Sequence, residues 1–325
     1  MYFFERRTIK PYGRRLPALL KGPDTTLRGL RSRPLPPSPS AVEETWTIGR
    51  VIAWTSEFFK RKGLDAPRLT AELLLGSTLS LDRVRLYTDF DRPLQKDELA
   101  AYRALVQRRA SGEPTHYLLG RREFYGRSFR VDPRVLVPRP ETEMLIEAAL
   151  ECLGDCSETR ALDLCTGSGC VGVTLAAERP SLRVVATDAS LPALEVAREN
   201  ASAHGVADRV ELRAGDLFAP VARERFELIT ANPPYVETSA IEGLSPEVRR
   251  EPREALDGGP DGLALIRRLI AGARERLSPG GWLLFEIGDR QGPAVLGLLG
   301  TAGFPGASVQ KDFAGFDRLA RAHRA

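Results

Sequence analysis

Asn232, Pro233, Pro234 and Tyr235 follow an apolar stretch, Leu228-Ile229-Thr230-Ala231, that reads as a β-strand. Two consecutive prolines fix φ and remove two backbone N–H groups, which leaves carbonyl oxygens as the polar atoms on offer. The side-chain oxygen of Asn232 and the carbonyl of Pro233 can then accept both N–H bonds of a planar NH2 group, with Tyr235 packed over its flat face. Nitrogen of that kind is a poor nucleophile because its lone pair is delocalised into a carbonyl or a ring. Two fixed acceptors hold it, localise the lone pair and stabilise the positive charge that grows as it attacks. A rigid turn would use the same prolines but would not need what precedes it.

What precedes it is a series of strand ends. Ala161-Leu162-Asp163-Leu164 runs directly into Cys165-Thr166-Gly167-Ser168-Gly169 and then a helix. Glycines there let a backbone approach a ligand, and the helix N-terminus favours negative groups. Taken alone, a structural glycine turn explains the segment equally; a Walker A loop does not, since no Gly-Lys-Ser/Thr follows. The next strand ends in Ala186-Thr187-Asp188, where an acid can accept hydrogen bonds from a ribose diol. NAD and S-adenosylmethionine satisfy that position alike, and a helix N-cap for the segment starting at Ser190 is the alternative. Gly215-Asp216-Leu217-Phe218 closes a third strand, with Asp216 placed for an adenine amino group. The glycine turn, the acid and Asn232 to Tyr235 at successive strand ends decide between cofactors, pointing to nitrogen methylation from S-adenosyl-L-methionine. No metal, covalent intermediate or histidine base is required, and His116 reads as structural.

Strands and helices alternate from about residue 143: strands near 160–165, 183–187, 209–213, 226–231 and 281–287, with helices near 170–178, 190–203, 261–277 and 291–301, then two final strands. Such alternation predicts an α/β, doubly wound, Rossmann-like domain over 141–325, with parallel strands and helices on both faces. Ahead of it, period-two apolar residues Phe129, Val131, Val135 and Val137 predict a β-hairpin linker over 114–140. Ile48, Val51, Ile52, Thr55, Phe58 and Phe59 recur at helical spacing, Gly63 ends that helix, and Asp65 with Pro67 starts another. Further helices near 80–87 and 95–110 complete a helical domain over 43–113.

The chain has 325 residues, 47 basic and 43 acidic, for a net charge of +4. Residues 1–42 alone carry nine Lys/Arg against Glu5 and Asp24, and seven of the 24 prolines, so they read as a disordered basic extension. The remainder stands at −3, without the clustered cations that phosphate neutralisation needs, so no direct nucleic-acid partner is expected. No apolar run is long enough for a membrane span, and four cysteines without CxxC spacing fit a reducing cytoplasm rather than a zinc or disulfide framework.

Pro114-Thr115-His116-Tyr117-Leu118-Leu119-Gly120, Glu123-Phe124-Tyr125-Gly126 and Val135-Leu136-Val137-Pro138-Arg139-Pro140-Glu141-Thr142-Glu143 narrow the choice further. With Asn232 to Tyr235, Glu251-Pro252, Gly258 to Leu263, Glu286-Ile287-Gly288 and Gln291, they resemble the HemK family of protein-(glutamine-N5) methyltransferases over residues 45–322. The resemblance implies a class I methyltransferase domain, S-adenosyl-L-methionine as cofactor, class 1 peptide chain release factors as partners, and methylation of the glutamine in their Gly-Gly-Gln loop. A monomer is expected. The run from Pro138 to Glu143 favours the release-factor branch over the ribosomal-protein glutamine methyltransferases; a DNA or RNA amino-methyltransferase, or a non-catalytic scaffold, is the rival reading. Carried over by position, Cys165, Thr166, Gly167, Ser168, Gly169, Asp188, Leu217 and Asn232 contact the cofactor, and the strand-end reading adds Asp216. Asn232, Pro233, Pro234 and Tyr235 form the amide site, with Arg139, Glu141 and Thr142 read as wall residues beside it or as hairpin anchors. Cys165 stands where the family usually has glycine, and Leu217 replaces a frequent aromatic.

Overall fold

The computed structural model describes residues 45–154 and 159–325; the extension expected over 1–42 lies outside them. The first helices begin where side chains can cap them. The Thr47 hydroxyl accepts from Arg50 N at the start of α1 (Ile48–Arg61), and a proline opens α2 (Pro67–Leu79). Asp82 caps α3 (Arg83–Thr88), and Gln95 with Glu98 forms a capping box on α4 (Lys96–Ala110). The helix expected at 80–87 starts later because Ser80 turns left-handed and ends α2. Ile48, Phe59, Leu74, Leu75 and Leu86 make a core separate from those of the sheet.

The linker is more compact than a hairpin over 114–140. Thr115–Leu119 form a short helix, α5, and only β1 (Arg121–Phe124) and β2 (Arg127–Arg130) pair, antiparallel, around Tyr125 and Gly126 at positive φ. Residues 131–139 carry no regular element, yet Val131, Val135 and Val137 are buried with Tyr117 against the third helix of the domain that follows.

That domain begins with α6 (Glu143–Leu153), a helix the alternation did not predict. Then come β3 (Arg160–Leu164), α7 (Cys170–Glu178), β4 (Arg183–Asp188), α8 (Leu191–Ala203), β5 (Val210–Ala214) and β6 (Phe226–Ala231). After them follow α9 (Ala264–Arg276), β7 (Leu277–Glu286), α10 (Gly292–Thr301), β8 (Ser308–Lys311) and β9 (Asp317–His323). The strands form one sheet in the order β5-β4-β3-β6-β7-β9-β8. The first five in that order run parallel; β9 and β8 are antiparallel additions at one edge, where the expectation of parallel strands fails. Successive residues of each strand point to opposite faces. Ala161, Val184, Leu228 and Leu284 meet α6 and α7, whereas Leu162, Val185, Ile229 and Leu283 meet α9 and α10. This is the doubly wound arrangement, with its switch point between β3 and β6.

The helical domain is tied to the segment that follows Asn232. Arg109, buried at the end of α4, pairs with Glu247, whose other oxygen accepts from Thr115 N at 3.2 Å. Arg250 donates to Ser111 O at 2.6 Å.

His116 sits in the linker with Nδ1 3.2 Å from Arg121 O and Nε2 2.8 Å from Arg122 Nη1. A guanidinium can only donate, so Nε2 accepts and the proton resides on Nδ1. Burial first, and then the charge of Arg122, lower its pKa to about 4. The unfolded chain therefore binds this proton from about pH 6.5, while the folded chain resists until about 4. Stability held above that window is lost as pH falls through it. Wild type should melt lower at pH 5 than at pH 7, and His116→Gln should show a smaller difference by calorimetry. Identical pH dependence in both would remove His116 from the account.

Candidate active site

Leu164 and Ala231 are register partners, so the turn after β3 and the turn after β6 leave the sheet side by side. Between them opens a cavity of ≈ 620 Å³. Its wall contains Cys165, Thr166, Gly167, Ser168, Asp188, Asp216, Leu217, Asn232 and Pro234. Gly169 stands behind it: its φ of 80° starts α7, and an added Cβ would come within 3.1 Å of Ala197. A Cβ on Gly167 would meet nothing, because that glycine opens directly on the cavity.

Cys165 takes a left-handed conformation, φ 55°, although it carries a Cβ. Its side chain packs on the core beneath α9, and burial raises the thiol's pKa, so it stays neutral. Leu217 is held similarly at φ 47°, with its carbonyl accepting from the Thr187 hydroxyl at 3.3 Å. Both positions store strain, which buried surroundings can sustain.

Asp188 is not the N-cap of α8; Ser190 is, accepting from Ala193 N. The Asp188 carboxylate accepts from Gly167 N and Ser190 N, both at 2.9 Å, and its remaining lone pairs are available on the cavity wall. Burial shifts its pKa upward, a cost the two N–H bonds oppose. Asp216 is paired at the rim with Arg268 of α9, so an adenine amino group would meet an acid already engaged by a cation.

Two features were not expected from the residues. Asp163, in the middle of β3, is buried and lines the cavity floor. Its oxygens accept from Thr166 Oγ1 at 2.6 Å, Gly172 N at 3.1 Å and Thr230 Oγ1 at 2.8 Å. Burial lifts its pKa to about 6 against those bonds. Glu286, at the end of β7, is equally buried and accepts from Thr142 Oγ1 and Tyr235 OH. The available signal was an acid inside or ending an otherwise apolar strand, since such groups are rarely buried unless partnered.

The flanking residues divide. Tyr235 and Pro233 lie outside the cavity wall; the Tyr235 hydroxyl is drawn 2.9 Å from Glu286 Oε1. Arg139 is an anchor, donating to Glu251 Oε1 at 2.7 Å, while Glu251 Oε2 accepts from Val137 N. Glu141 is exposed and lines nothing, but its neighbour Thr142 does.

Five carboxyl side chains, Asp163, Asp188, Asp216, Glu254 and Asp257, face the cavity against Arg134 and Arg268, each of which is ion-paired. That surplus suits a cationic ligand and opposes a pyrophosphate. The Asp188 carboxylate on the wall, an open Gly167 and the acidic lining fit an adenosyl sulfonium. Asp188→Ala should therefore weaken S-adenosylmethionine binding by about ten- to a hundredfold, the scale of charge-assisted hydrogen bonds. Unchanged affinity by calorimetry would confine Asp188 to shaping the turn.

Comparison with known proteins agrees with this geometry. Residues 50–120 match the family described as PrmC N-terminal domain, and 142–259 match the Methyltransferase small domain. A release factor glutamine methyltransferase of Geobacter sulfurreducens is 46% identical over 277 residues, 85% of this chain and 96% of that protein. One from Moorella thermoacetica is 45% identical, covering 81% and 93%. Among solved structures, the hMettl16 catalytic domain in complex with the MAT2A 3'UTR hairpin 6 superposes with a TM-score of 0.52 at 18% identity. That match covers 68% of this chain and 81% of that one, a likeness of fold. Identity of this order over nearly the whole length of its relatives makes the chain a member of the release factor glutamine methyltransferase family.

Proposed function

We propose that the chain methylates the side-chain amide nitrogen of the glutamine in the Gly-Gly-Gln loop of a class 1 peptide chain release factor. The observation that carries the reading is the placement of Asn232 on the cavity wall, one residue beyond the register pair Leu164 and Ala231. S-adenosylmethionine, when bound, supplies an electrophilic methyl group. Residues 165–168, Asp188 and Leu217 hold it in the cavity, and Asp163 keeps their turn in place. The glutamine reaches Asn232 beside the half-buried Pro234 and Tyr235; Pro233 is itself buried, so its part is limited to its main-chain carbonyl.

Asn232 Oδ1 and the Pro233 carbonyl accept the two amide N–H bonds and draw the nitrogen lone pair toward the methyl group. Tyr235 keeps the flat amide in plane. As the nitrogen–methyl bond formed, the methyl–sulfur bond would break with its electron pair left on sulfur as a neutral thioether. The positive charge would pass to the nitrogen, which then loses a proton to solvent, so no side chain has to act as a strong base. Release-factor recognition extends over a wider surface, which includes the helical domain clamped through Arg109 and Glu247 to the segment after Asn232.

Incubation with labelled S-adenosylmethionine and purified release factors, followed by peptide mapping, should place the label on a single glutamine. Label on nucleic acid would replace this reading with the base-methylating one. Asn232→Ala should lower turnover by at least ~10²-fold, the scale of losing one preorganised polar group in the transition state. Release-factor affinity should hardly change. Asn232→Asp, which keeps an acceptor, should retain more activity than Asn232→Ala. Two variants turning over like wild type would reduce Asn232 to Tyr235 to a rigid turn.

A further inference from the structure

An asparagine holds a substrate NH2 only if its oxygen faces it; turned by 180° about χ2, it offers a donor to a donor. The two orientations have nearly the same shape, so packing alone does not choose between them. Something must fix which end of the Asn232 amide points toward the reaction.

The choice is made by counting protons. Thr142 Oγ1 lies 2.6 Å from Glu286 Oε2 and 3.3 Å from Asn232 Nδ2. A hydroxyl has one proton, and here it goes to the shorter, charge-assisted bond with the carboxylate. Toward Asn232 the Thr142 oxygen then offers only a lone pair, so the group facing it must be the NH2. Oδ1 is left pointing away from Thr142. The other oxygen of Glu286 takes the proton of the Tyr235 hydroxyl at 2.9 Å, so one buried carboxylate holds both ends of the four-residue turn. Gln291 Nε2 fixes the main chain, donating to Tyr235 O at 3.0 Å and Gly262 O at 3.2 Å.

We propose that Glu286 and Thr142 act as a relay that sets the direction of the Asn232 amide, presenting Oδ1 to the substrate nitrogen. They are positioning residues: neither touches the reacting atoms, and each acts through Asn232. The inference rests on the reading of Asn232 as an amide acceptor. It requires Glu286 to be ionised, since only a carboxylate accepts on both oxygens. Burial raises its pKa above the usual carboxylate range; the Thr142 and Tyr235 hydroxyls and then the charge of Arg318 favour the ionised form, and Glu141 disfavours it.

The test compares Thr142→Val, Thr142→Ser and Glu286→Gln with wild type, in the full-length chain with a purified release factor. Thr142→Val removes the hydroxyl but keeps the shape; Thr142→Ser restores it. In Glu286→Gln an amide replaces one acceptor by a donor, so the proton order along the relay is lost. Release-factor KM should stay at the wild-type level in all three, and cofactor affinity in Glu286→Gln, whose side chain is off the cavity wall; far-UV circular dichroism like that of wild type reports an intact fold. The kcat of Thr142→Val and Glu286→Gln should fall by about 10²-fold, the scale of a misplaced reacting group, with Thr142→Ser close to wild type. In an Asn232→Ala background the Thr142→Val effect should vanish, because the amide it orients is gone. Wild-type kcat in Thr142→Val, or the same loss on top of Asn232→Ala, overturns the relay. If Asn232→Ala is itself as active as wild type, the acceptor reading fails first and the relay with it.

Discussion

Asp163 accepts from Thr166, Gly172 and Thr230, and through those three bonds one carboxylate joins the cofactor turn, the first turn of α7 and strand β6. All three partners are donors, so an apolar residue of similar size would leave Thr166 and Gly172 N buried and unsatisfied, at about 1–3 kcal/mol apiece, and Thr230 with only a 3.5 Å contact to Leu162 O. The carboxyl itself is expensive to bury, which is why its pKa rises to about 6. Neither side of this exchange can be removed alone. Thr230 is two residues before Asn232, and Thr166 lies within the turn that opens at Gly167. The spacing between the Gly167 turn and Asn232 is thus set by a buried contact between β3 and β6.

The same device recurs where other segments meet. Glu251 takes Val137 N and Arg139, joining the linker to the segment after Asn232; Glu286 takes Thr142 and Tyr235, joining the start of α6 to the end of β6. Irregular segments arriving from different parts of the chain bring N–H and O–H groups that have lost their secondary-structure partners. A buried carboxylate accepts from two or three of them at once and brings no donor of its own that would need a partner, whereas a hydroxyl or an amide does.

Much of the fold was legible because it is local. Leu162 and Leu164 alternate with Ala161 and Asp163, and Asn232 with its prolines announces itself within four residues. The failures have physical causes. α6 buries Met144, Leu145, Ile146, Ala148 and Ala149 and leaves only a narrow acidic stripe, Glu143, Glu147 and Glu151, on its other side, a helical spacing that the strand-led alternation passed over. Residues 131–139 alternate like a strand because Val131, Val135 and Val137 are buried, yet they face α8 without pairing to anything. Thr142 and Glu286 are 144 positions apart, and nothing near either one signals the other. Cys165 in a glycine's place was visible as a departure; its left-handed backbone shows that the turn kept its shape and the cysteine took on the strain.

The clamp formed by Arg109, Glu247 and Thr115 has a bearing on how such chains can be recombined. Cut after residue 113, the helical domain looks like a portable module with its own core. A graft from a relative made at that boundary would set one parent's Arg109 against the other parent's Glu247, and Ser111 against a foreign Arg250. A mismatch at Arg109 would bury a guanidinium without its partner, the costly way to break an ion pair. The heritable unit is therefore discontinuous: residues 45–113 travel with Glu247 and Arg250, far along the chain, whose contacts reach back to the first domain.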